Sequence, residues 1–260
     1  FGEKPLYWGK VKINNDSDYN IVFSSEISSI LSLPGLKKEI NYDALGNYFK
    51  FGFLPSPSSI ISGINQLKPG YFVEIDTKDL SSRINNNKEI RWWDIYKITN
   101  TSFSNQGKDL NPQDEIESIL KGVVKDQSNA DVPVGTFLSG GIDSSLITAL
   151  LQEQSSKKVN SFTVCFPESG LGESAFNEGN YARSISNFLG TDHTEIDVTS
   201  KEVIDLIPEI PNYFSEPFAD SSMIANLLIS KKIRSSGIKV ALSGDAGDEL
   251  FGGYNRHIYG

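Results

Sequence analysis

The chain has 260 residues, of which 38% are hydrophobic and 22% are charged, and its formal net charge is −9. This length allows one large domain or two modest ones, each with a buried core. The acidic balance argues against a protein that mainly grips the backbone of nucleic acids, because such proteins need a basic surface. The sequence also lacks a run of about 18 apolar residues, which a membrane span requires.

The chain contains a single cysteine, Cys165, which cannot form an internal disulfide. We therefore expect a reducing, cytoplasmic location. The sequence starts at Phe1, has its only methionine at Met223 and stops at Gly260 directly after an aromatic run. We interpret it as part of a longer protein at both ends.

Residues 1–77 show the pattern of mixed α and β structure. Asn41 has the side chain of a helix cap, and Tyr42, Leu45 and Phe49 follow it at helical spacing. Lys68-Pro69-Gly70 predicts a turn with glycine at its third position. The other elements predicted here are strands at 5–8, 21–23 and 71–75 and a helix at 26–33. They make half a domain, so we expect its remaining strands upstream.

Residues 78–110 are rich in Asn, Ser and Thr and are predicted to be a linker. Strands and helices alternate after it. Asn111 is predicted to cap a helix that has Pro112 at its first position, and Gly237 is predicted to end another. The first of these helices has one apolar stripe, formed by Ile116, Ile119, Leu120, Val123 and Val124. The later predicted elements are strands at 132–138, 159–166, 194–198 and 238–242 and helices at 144–154, 179–189, 201–214 and 222–236. This order predicts an α/β layered fold with a parallel sheet.

Two loops have the residue types of a ligand site, and the first joins a buried strand to a helix. Its sequence is Ser139-Gly140-Gly141-Ile142-Asp143-Ser144-Ser145. Two glycines, three hydroxyls and a helix start can together hold a phosphate. Asp143 beside an anion indicates a Mg²⁺ ion between them. The loop has no lysine and is not a Walker A sequence. The alternative is a glycine turn before a serine-capped helix.

The second loop, residues 243–254, follows the last predicted strand and reads Ser-Gly-Asp-Ala-Gly-Asp-Glu-Leu-Phe-Gly-Gly-Tyr. Its carboxylates Asp245, Asp248 and Glu249 repel one another unless a cation neutralises them, so a Mg²⁺ site or an acid/base role fits. The alternative is a solvated acidic turn. Since both loops follow parallel strands, we expect them at the same edge of the sheet, where α/β proteins bind ligands. A Mg²⁺-nucleotide suits that arrangement.

Both loops closely resemble the paired signatures of the glutamine-hydrolysing asparagine synthetase family. Residues 1–7 with 23–27 resemble the end of that family's glutaminase domain. Two further stretches also resemble the family in the expected order, Leu-Gly-Thr-Asp-His at 189–193 and Glu-Pro-Phe-Ala-Asp-Ser-Ser at 216–222.

The resemblance implies an α/β fold with a parallel-sheet pyrophosphate-loop ATPase domain, similar to the adenine nucleotide alpha hydrolases. This synthetase domain would span 111–260 and be truncated at its C-terminus. The incomplete C-terminal part of an α+β N-terminal-nucleophile glutaminase domain would precede it at 1–77. The family's glutaminase nucleophile is an N-terminal cysteine without a counterpart in this sequence, so we expect these residues alone not to hydrolyse glutamine.

The family activity implied is ATP-dependent asparagine synthesis, in which the side chain of aspartate is adenylated, pyrophosphate leaves and ammonia derived from glutamine forms the amide. ATP and Mg²⁺ would be the cofactors. Asp143 and Asp248 match the metal positions, and Asp245 and Asp143 match catalytic positions. Asp245 and Ala246 stand where the family commonly has Glu and usually Gly. The positions that match nucleotide contacts are Leu138, Ser139, Gly140, Gly141, Asp143, Ser144, Ser145, Val164, Ser243 and Gly244.

Two alternatives stay open. One is a related adenylating ligase with a different acceptor, such as a β-lactam precursor, a sugar or a peptide; the other is a non-catalytic nucleotide-binding paralogue. A pyrophosphate-loop tRNA modifier is disfavoured by the charge of −9. We expect small molecules as partners, with no nucleic acid and no membrane, and leave a homodimer open as the assembly.

Overall fold

The structure is a computed structural model that describes residues 2, 4–14, 19–76, 88–104, 111–166, 178–220, 222–254 and 257. The chain divides into two compact units. Unit 1 comprises residues 1–108 and 208–220, and unit 2 comprises residues 109–207 and 221–260. The short segment 208–220 is therefore the part of unit 1 that sequence order would not assign to it.

Unit 1 is built around a three-stranded antiparallel sheet with the order β2-β1-β3, beside a separate antiparallel pair of β4 and β5. Its core consists of aliphatic side chains such as Ile27, Ile30 and Ile64. The elements are β1 (Tyr7–Val11), β2 (Asn20–Ser24), α1 (Ile27–Leu31), α2 (Tyr42–Phe51), β3 (Ile64–Gln66), β4 (Tyr71–Glu74), β5 (Lys88–Arg91) and α3 (Ile95–Ser104). Within 78–110, the predicted linker, the described residues thus form β5 and α3.

The helix cap and the glycine turn predicted for unit 1 are both found in the structure. The Asn41 side chain caps α2 by accepting a hydrogen bond from the Ala44 amide at 3.2 Å. Gly70 has the positive φ of +72° that its turn requires. The helix predicted from the spacing of Tyr42, Leu45 and Phe49 is confirmed as α2, although Tyr42 and Phe49 are 77% and 79% exposed. Helical spacing identifies an apolar face but not what covers it.

Unit 2 confirms the predicted alternation of strands and helices. The elements are α4 (Pro112–Ser128), β6 (Val134–Phe137), α5 (Ile142–Gln154), β7 (Asn160–Cys165), α6 (Gly179–Leu189), β8 (Asp192–Asp197), α7 (Ser200–Leu206), α9 (Ser222–Ser235), β9 (Val240–Leu242) and α10 (Gly247–Phe251). Between α7 and α9 in the chain lie a 3₁₀ turn (Ile207–Glu209) and α8 (Ile210–Tyr213), and α8 belongs to unit 1. The helical stretch predicted at 201–214 is found in the structure as three consecutive pieces, namely α7, the 3₁₀ turn and α8. Pro208 and Pro211 lack the N–H groups that a continuous helix would use.

The strands β8, β7, β6 and β9 form a parallel sheet in that order. One hydrophobic cluster packs β7 and β8 against α7 and α9, and a second holds α4 and α5 on the sheet through residues such as Val124 and Leu151. Strand order reverses between β6 and β9, the place where such sheets bind ligands. Within the described ranges, every helix is too short or too polar to cross a membrane.

Candidate functional site

The first loop continues β6 and turns into α5. Leu138 is fully buried, and its amide donates to the Phe162 carbonyl at 2.8 Å, which extends the parallel pairing by one residue. Gly140 turns the chain with a φ of +85°. Gly141 is the N-cap of α5 and offers no side chain to the amides of the first turn. The start of α5 therefore has no side-chain cap, and helix starts of this kind can bind anions.

The serines of this loop hydrogen bond within the loop and hold its shape. Ser139 Oγ accepts from the Gly141 amide at 3.2 Å and shares a hydrogen bond of 2.9 Å with Ser144 Oγ. Ser145 Oγ donates to the Gly141 carbonyl at 2.6 Å. A Cβ at Gly140 would lie 2.6 Å from Tyr181 Cβ, so α6 packs closely on this turn. The turn predicted to hold phosphate is therefore stabilised by its own serine hydrogen bonds, and it leads into a helix that has no side-chain cap.

The second loop is a tight turn after β9. The Gly247 amide donates to the Gly244 carbonyl at 3.3 Å, and Ala246 has the left-handed φ of +74° inside this turn. This conformation is the one that glycine adopts without strain, so Ala246 is strained here and a glycine would not be. Ser243 Oγ donates to Asp245 Oδ2 at 3.0 Å and orients that exposed carboxylate.

The two loops touch each other. A Cβ added to Gly244 would lie 2.6 Å from the Ser144 amide nitrogen and 2.9 Å from Asp143 Cβ. A Cβ added to Gly247 would overlap the Asp143 carboxylate. This contact follows from the sheet, because β6 and β9 are parallel neighbours and their following residues leave at the same edge. The expectation that both loops meet at one edge of the sheet is confirmed.

Negative charges are concentrated where the loops meet. Burial first, and then the charges of Asp248 and Glu249, raise the pKa of Asp143 above its ordinary value. Ionised Asp143 is therefore disfavoured in the protein by itself, and a divalent cation would reverse this effect. Among the described residues, no group of three or more acidic, His or Cys side chains is arranged to hold a metal alone. Mg²⁺ commonly uses one or two carboxylates together with substrate phosphates, which Asp143 and Asp248 would fit.

The loops form one side of a cleft of about 1260 Å³ that lies wholly in unit 2. Gly140 and Ser145 of the predicted site are not among its lining residues. The predicted residues that do line it are Leu138, Ser139, Gly141, Asp143, Ser144, Val164, Ser243, Gly244, Asp245 and Asp248. The cleft also has apolar walls, which include Phe137, Phe162, Phe166 and Phe251. A flat aromatic or heterocyclic group and an anionic group could therefore be accommodated together.

Sequence reasoning missed two contributors to the cleft. One is the face of α9 that carries Ser222, Ala225, Asn226 and Ile229. Their spacing of three, one and three residues marks a single helical face, but small and polar residues on it give no hint of a ligand. The other is Glu178, at the start of α6, whose pKa is raised by burial. Ser221 of the 216–222 motif lies outside the described residues.

His193 and Cys165 have structural surroundings and are not among the residues that line the cleft. His193 Nδ1 shares a hydrogen bond of 2.9 Å with Ser161 Oγ, which in turn contacts Thr191 Oγ1 at 2.8 Å. Burial lowers the pKa of His193 and raises the pKa of the Cys165 thiol. Both residues therefore belong to the packing of β7 and β8.

The fold defines a parallel-sheet α/β protein with a cleft at the strand-order reversal of its sheet. The asparagine synthase family model matches residues 115–259, and the glutamine amidotransferase domain model matches residues 1–89. Because the first match covers more than half of the chain, the chain belongs to the asparagine synthase family.

Individual relatives agree with this membership. The putative glutamine-hydrolyzing asparagine synthetase 2 of Methanocaldococcus jannaschii is 31% identical over 242 residues, which are 92% of this chain and 44% of that protein. The glutamine-hydrolyzing asparagine synthetase 1 of Bacillus subtilis is 31% identical over 255 residues, which are 98% of this chain and 36% of that protein. The chain thus spans less than half the length of these relatives.

A solved structure, the NH3-dependent NAD synthetase from Campylobacter jejuni in complex with the nitrate ion, has a TM-score of 0.39 and 17% identity, covering 56% of this chain and 62% of that one. This score is too low to support an argument about function.

Proposed function

We propose that the protein is an ATP-dependent ligase of the asparagine synthetase type. It adenylates the side-chain carboxylate of aspartate with release of pyrophosphate, and it then forms the amide with ammonia derived from glutamine. The observation that carries this proposal is the contact between the two glycine loops at the end of β6 and β9, beside a cleft with apolar walls. Family membership supports the same activity.

The proposed nucleotide site uses both sides of the cleft. The first loop would bind the outer two phosphates through the amides at the start of α5, and Leu138 and Val164 would frame the adenine and ribose. Ser243 and Gly244 would contact the nucleotide through the turn after β9. Asp143 and Asp248 would hold Mg²⁺, which when bound supplies positive charge that stabilises pyrophosphate as the leaving group.

The chemistry requires two substitutions. In the first, an oxygen of the aspartate side chain attacks the α-phosphorus, and the bond between that phosphorus and the bridging oxygen of pyrophosphate breaks. In the second, ammonia attacks the acyl carbon, and AMP leaves with the electrons of the bond it had to that carbon. Asp245 would take the proton released from the ammonia nitrogen. Its hydrogen bond from Ser243 supports this role, because it holds the carboxylate at the edge of the cleft.

The test measures pyrophosphate release from ATP and asparagine formation in the protein that carries this chain, with aspartate varied against other carboxylates and with ammonia as the nitrogen source. Release stimulated by aspartate is expected. Release that ignores aspartate but responds to another carboxylate would identify a different acceptor, and ATP binding without turnover would identify a non-catalytic module.

The role of Asp245 is tested separately. Asp245→Asn should retain pyrophosphate release while asparagine formation falls by about 100-fold or more, the usual size of a general-base effect. Asp126→Asn, at an exposed position of α4, is the matched control and should retain both. An equal loss of both partial reactions in Asp245→Asn would contradict a base role.

A further inference from the structure

Two glycines of the second loop are not required by their backbone conformation. Gly252 has a left-handed φ of +71°, which favours glycine. Gly247 and Gly253 have no such positive φ, so alanine could adopt their backbone geometry without strain. Both of these glycines line the cleft. The reason that the structure offers for a glycine at these two positions is therefore space, not conformational freedom.

The space at Gly247 is occupied by the carboxylate of Asp143. The three atoms nearest to a Cβ added there all belong to that carboxylate: the Cβ would overlap Cγ and Oδ2 and would lie 2.9 Å from Oδ1. The Gly244 contact is different, because its nearest atom is the backbone nitrogen of Ser144. Gly247 thus leaves room for a side chain, and that side chain is one of the two proposed to hold Mg²⁺.

The space at Gly253 is occupied by the other proposed metal ligand, the half-buried Asp248. A Cβ added to Gly253 would overlap Asp248 Oδ1, and it would lie 2.8 Å from Cγ and 3.2 Å from Cα of the same residue. Each of the two carboxylates proposed to hold Mg²⁺ therefore lies directly against a glycine.

The backbone around Gly253 is fixed on α10. The amides of Gly252 and Gly253 both donate to the Asp248 carbonyl, the second at 3.0 Å. The Tyr254 hydroxyl donates to Glu249 Oε1 at 2.8 Å and holds the following residue on the same helix. Because the turn is attached on both sides of Gly253, an added methyl group would be accommodated mainly by rotation of the Asp248 carboxylate about its side-chain bonds.

We propose that Gly247 and Gly253 are positioning residues for the metal site. Each leaves room for one carboxylate, so that both carboxylates keep the orientation in which they would hold Mg²⁺. The inference rests on the proposed function for the metal, and it adds a role for two residues that have no side chain to offer to a ligand. Replacing a neighbour that orients a metal ligand commonly weakens metal binding by about 10- to 100-fold.

The experiment compares Gly253→Ala with Gly252→Ala. The neighbouring glycine is a matched control because the two causes are exchanged there. Among the described residues, the atom nearest to a Cβ at Gly252 is His257 Nδ1 at 3.8 Å, so there is room, but the left-handed φ strains an alanine. Gly247→Ala tests the second contact, and Asp248→Asn provides the background that shows whether Gly253 acts through that carboxylate.

Two quantities are measured on the protein that carries this chain. The first is the calorimetric dissociation constant of Mg²⁺ with an ATP analogue whose α–β bridge is a methylene group, and the second is the urea midpoint in EDTA. In Gly253→Ala and in Gly247→Ala we expect the dissociation constant to rise about 10- to 100-fold and the midpoint to stay unchanged. Gly252→Ala should keep wild-type affinity, while its unfolding constant rises about three- to fivefold. Adding Gly253→Ala to Asp248→Asn should cause no further loss of affinity.

Wild-type affinity in either alanine variant would overturn the role of that glycine. A further loss on top of Asp248→Asn, or a fall in the urea midpoint that accounts for the weaker binding, would also overturn it, because both indicate a general structural effect. Should Gly253→Ala fail to fold, Gly247→Ala decides, with Asp143→Asn as its background. If the wild type does not bind the Mg²⁺ complex, the proposed metal site fails and this inference fails with it. If the wild type binds the complex but aspartate does not stimulate turnover, only the proposed acceptor fails.

Discussion

Gly244→Ala is the most direct test of the contact between the two loops. The added Cβ would lie 2.6 Å from the Ser144 nitrogen, and both Asp143 carbon atoms in reach are at 2.9 Å. To restore the 3.4 Å at which ordinary van der Waals contact begins, the loops must separate by about 0.8 Å. Ser144 N is a backbone atom in the first turn of α5, so it cannot move aside as a flexible side chain would.

Gly244→Ala is expected to have a modest effect on the free energy of unfolding and a large effect on turnover. Overpacking of this kind costs about 1–3 kcal/mol, and the lower entropy of the unfolded chain with alanine returns about 0.4–1 kcal/mol. We therefore expect a loss of about 1–2 kcal/mol in the free energy of unfolding. A displacement near 1 Å in a reacting geometry can reduce turnover by about 100-fold, which is the expected loss of pyrophosphate release.

The assay combines chemical denaturation, calorimetric titration of Mg²⁺-ATP and pyrophosphate release. Gly122→Ala is the matched control, because Gly122 is in α4 and a Cβ there meets nothing within 4 Å. Alanine should stabilise that helix by about 0.5–1 kcal/mol and leave turnover unchanged. Wild-type nucleotide affinity and turnover in Gly244→Ala would refute the close approach of the loops as a requirement of the site.

Three further substitutions test the two loops and the capped start of α7. Ala246→Gly should raise the free energy of unfolding by about 0.5–1 kcal/mol, because a left-handed alanine is strained; no gain in chemical denaturation would contradict this. Asp143→Asn should stabilise the ligand-free protein at pH 7, since the folded pKa is raised and ionisation opposes folding, and should abolish Mg²⁺-dependent ATP binding; unfolding in EDTA and calorimetry check both effects. Lys232 and the Thr199 cap lower the pKa of Glu202 to about 2, so ionised Glu202 stabilises the fold above its ordinary pKa of 4.5. The difference in urea midpoint between wild type and Glu202→Gln should therefore vanish as the pH falls from 4.5 toward 2, and a constant difference would exclude this cause.

Local signals were sufficient to predict the fold of unit 2. The Asn111 cap, the apolar run of β6 and the stop at Gly237 each depend on neighbouring residues, and all are found in the structure. The apolar stripe predicted for this helix lies on α4, and within it Val124 is buried while Ile119 is 58% exposed. Periodicity defines an apolar face, but the width that becomes buried depends on the elements packed against it.

In the candidate site too, some contacts follow from local sequence, whereas others depend on tertiary packing. The proximity of Asp143 and Gly244 could be predicted from sequence, because each residue follows a strand and the two strands are parallel neighbours. In unit 1, the partners of Glu216 of the 216–222 motif could not be predicted, because the Tyr7 and Ser59 hydroxyls that donate to its carboxylate are more than 150 residues away and no local pattern pairs them. The wall formed by α9 was missed for a related reason, since Asn226 lines the cleft only through the packing of its helix.

Two energetically unfavourable features of unit 2 lie at the cleft. Asp143 has a raised pKa beside two other carboxylates, and Ala246 adopts a left-handed conformation. Such costs persist only where the surrounding structure enforces them, and they are typical of functional sites. A ligand that neutralises the carboxylates would bind the folded state alone and stabilise it by about 2.7 kcal/mol at one hundred times its dissociation constant. Unfolding temperature should therefore rise with Mg²⁺-ATP in the wild type, and it should rise much less when Asp143 no longer contributes its charge.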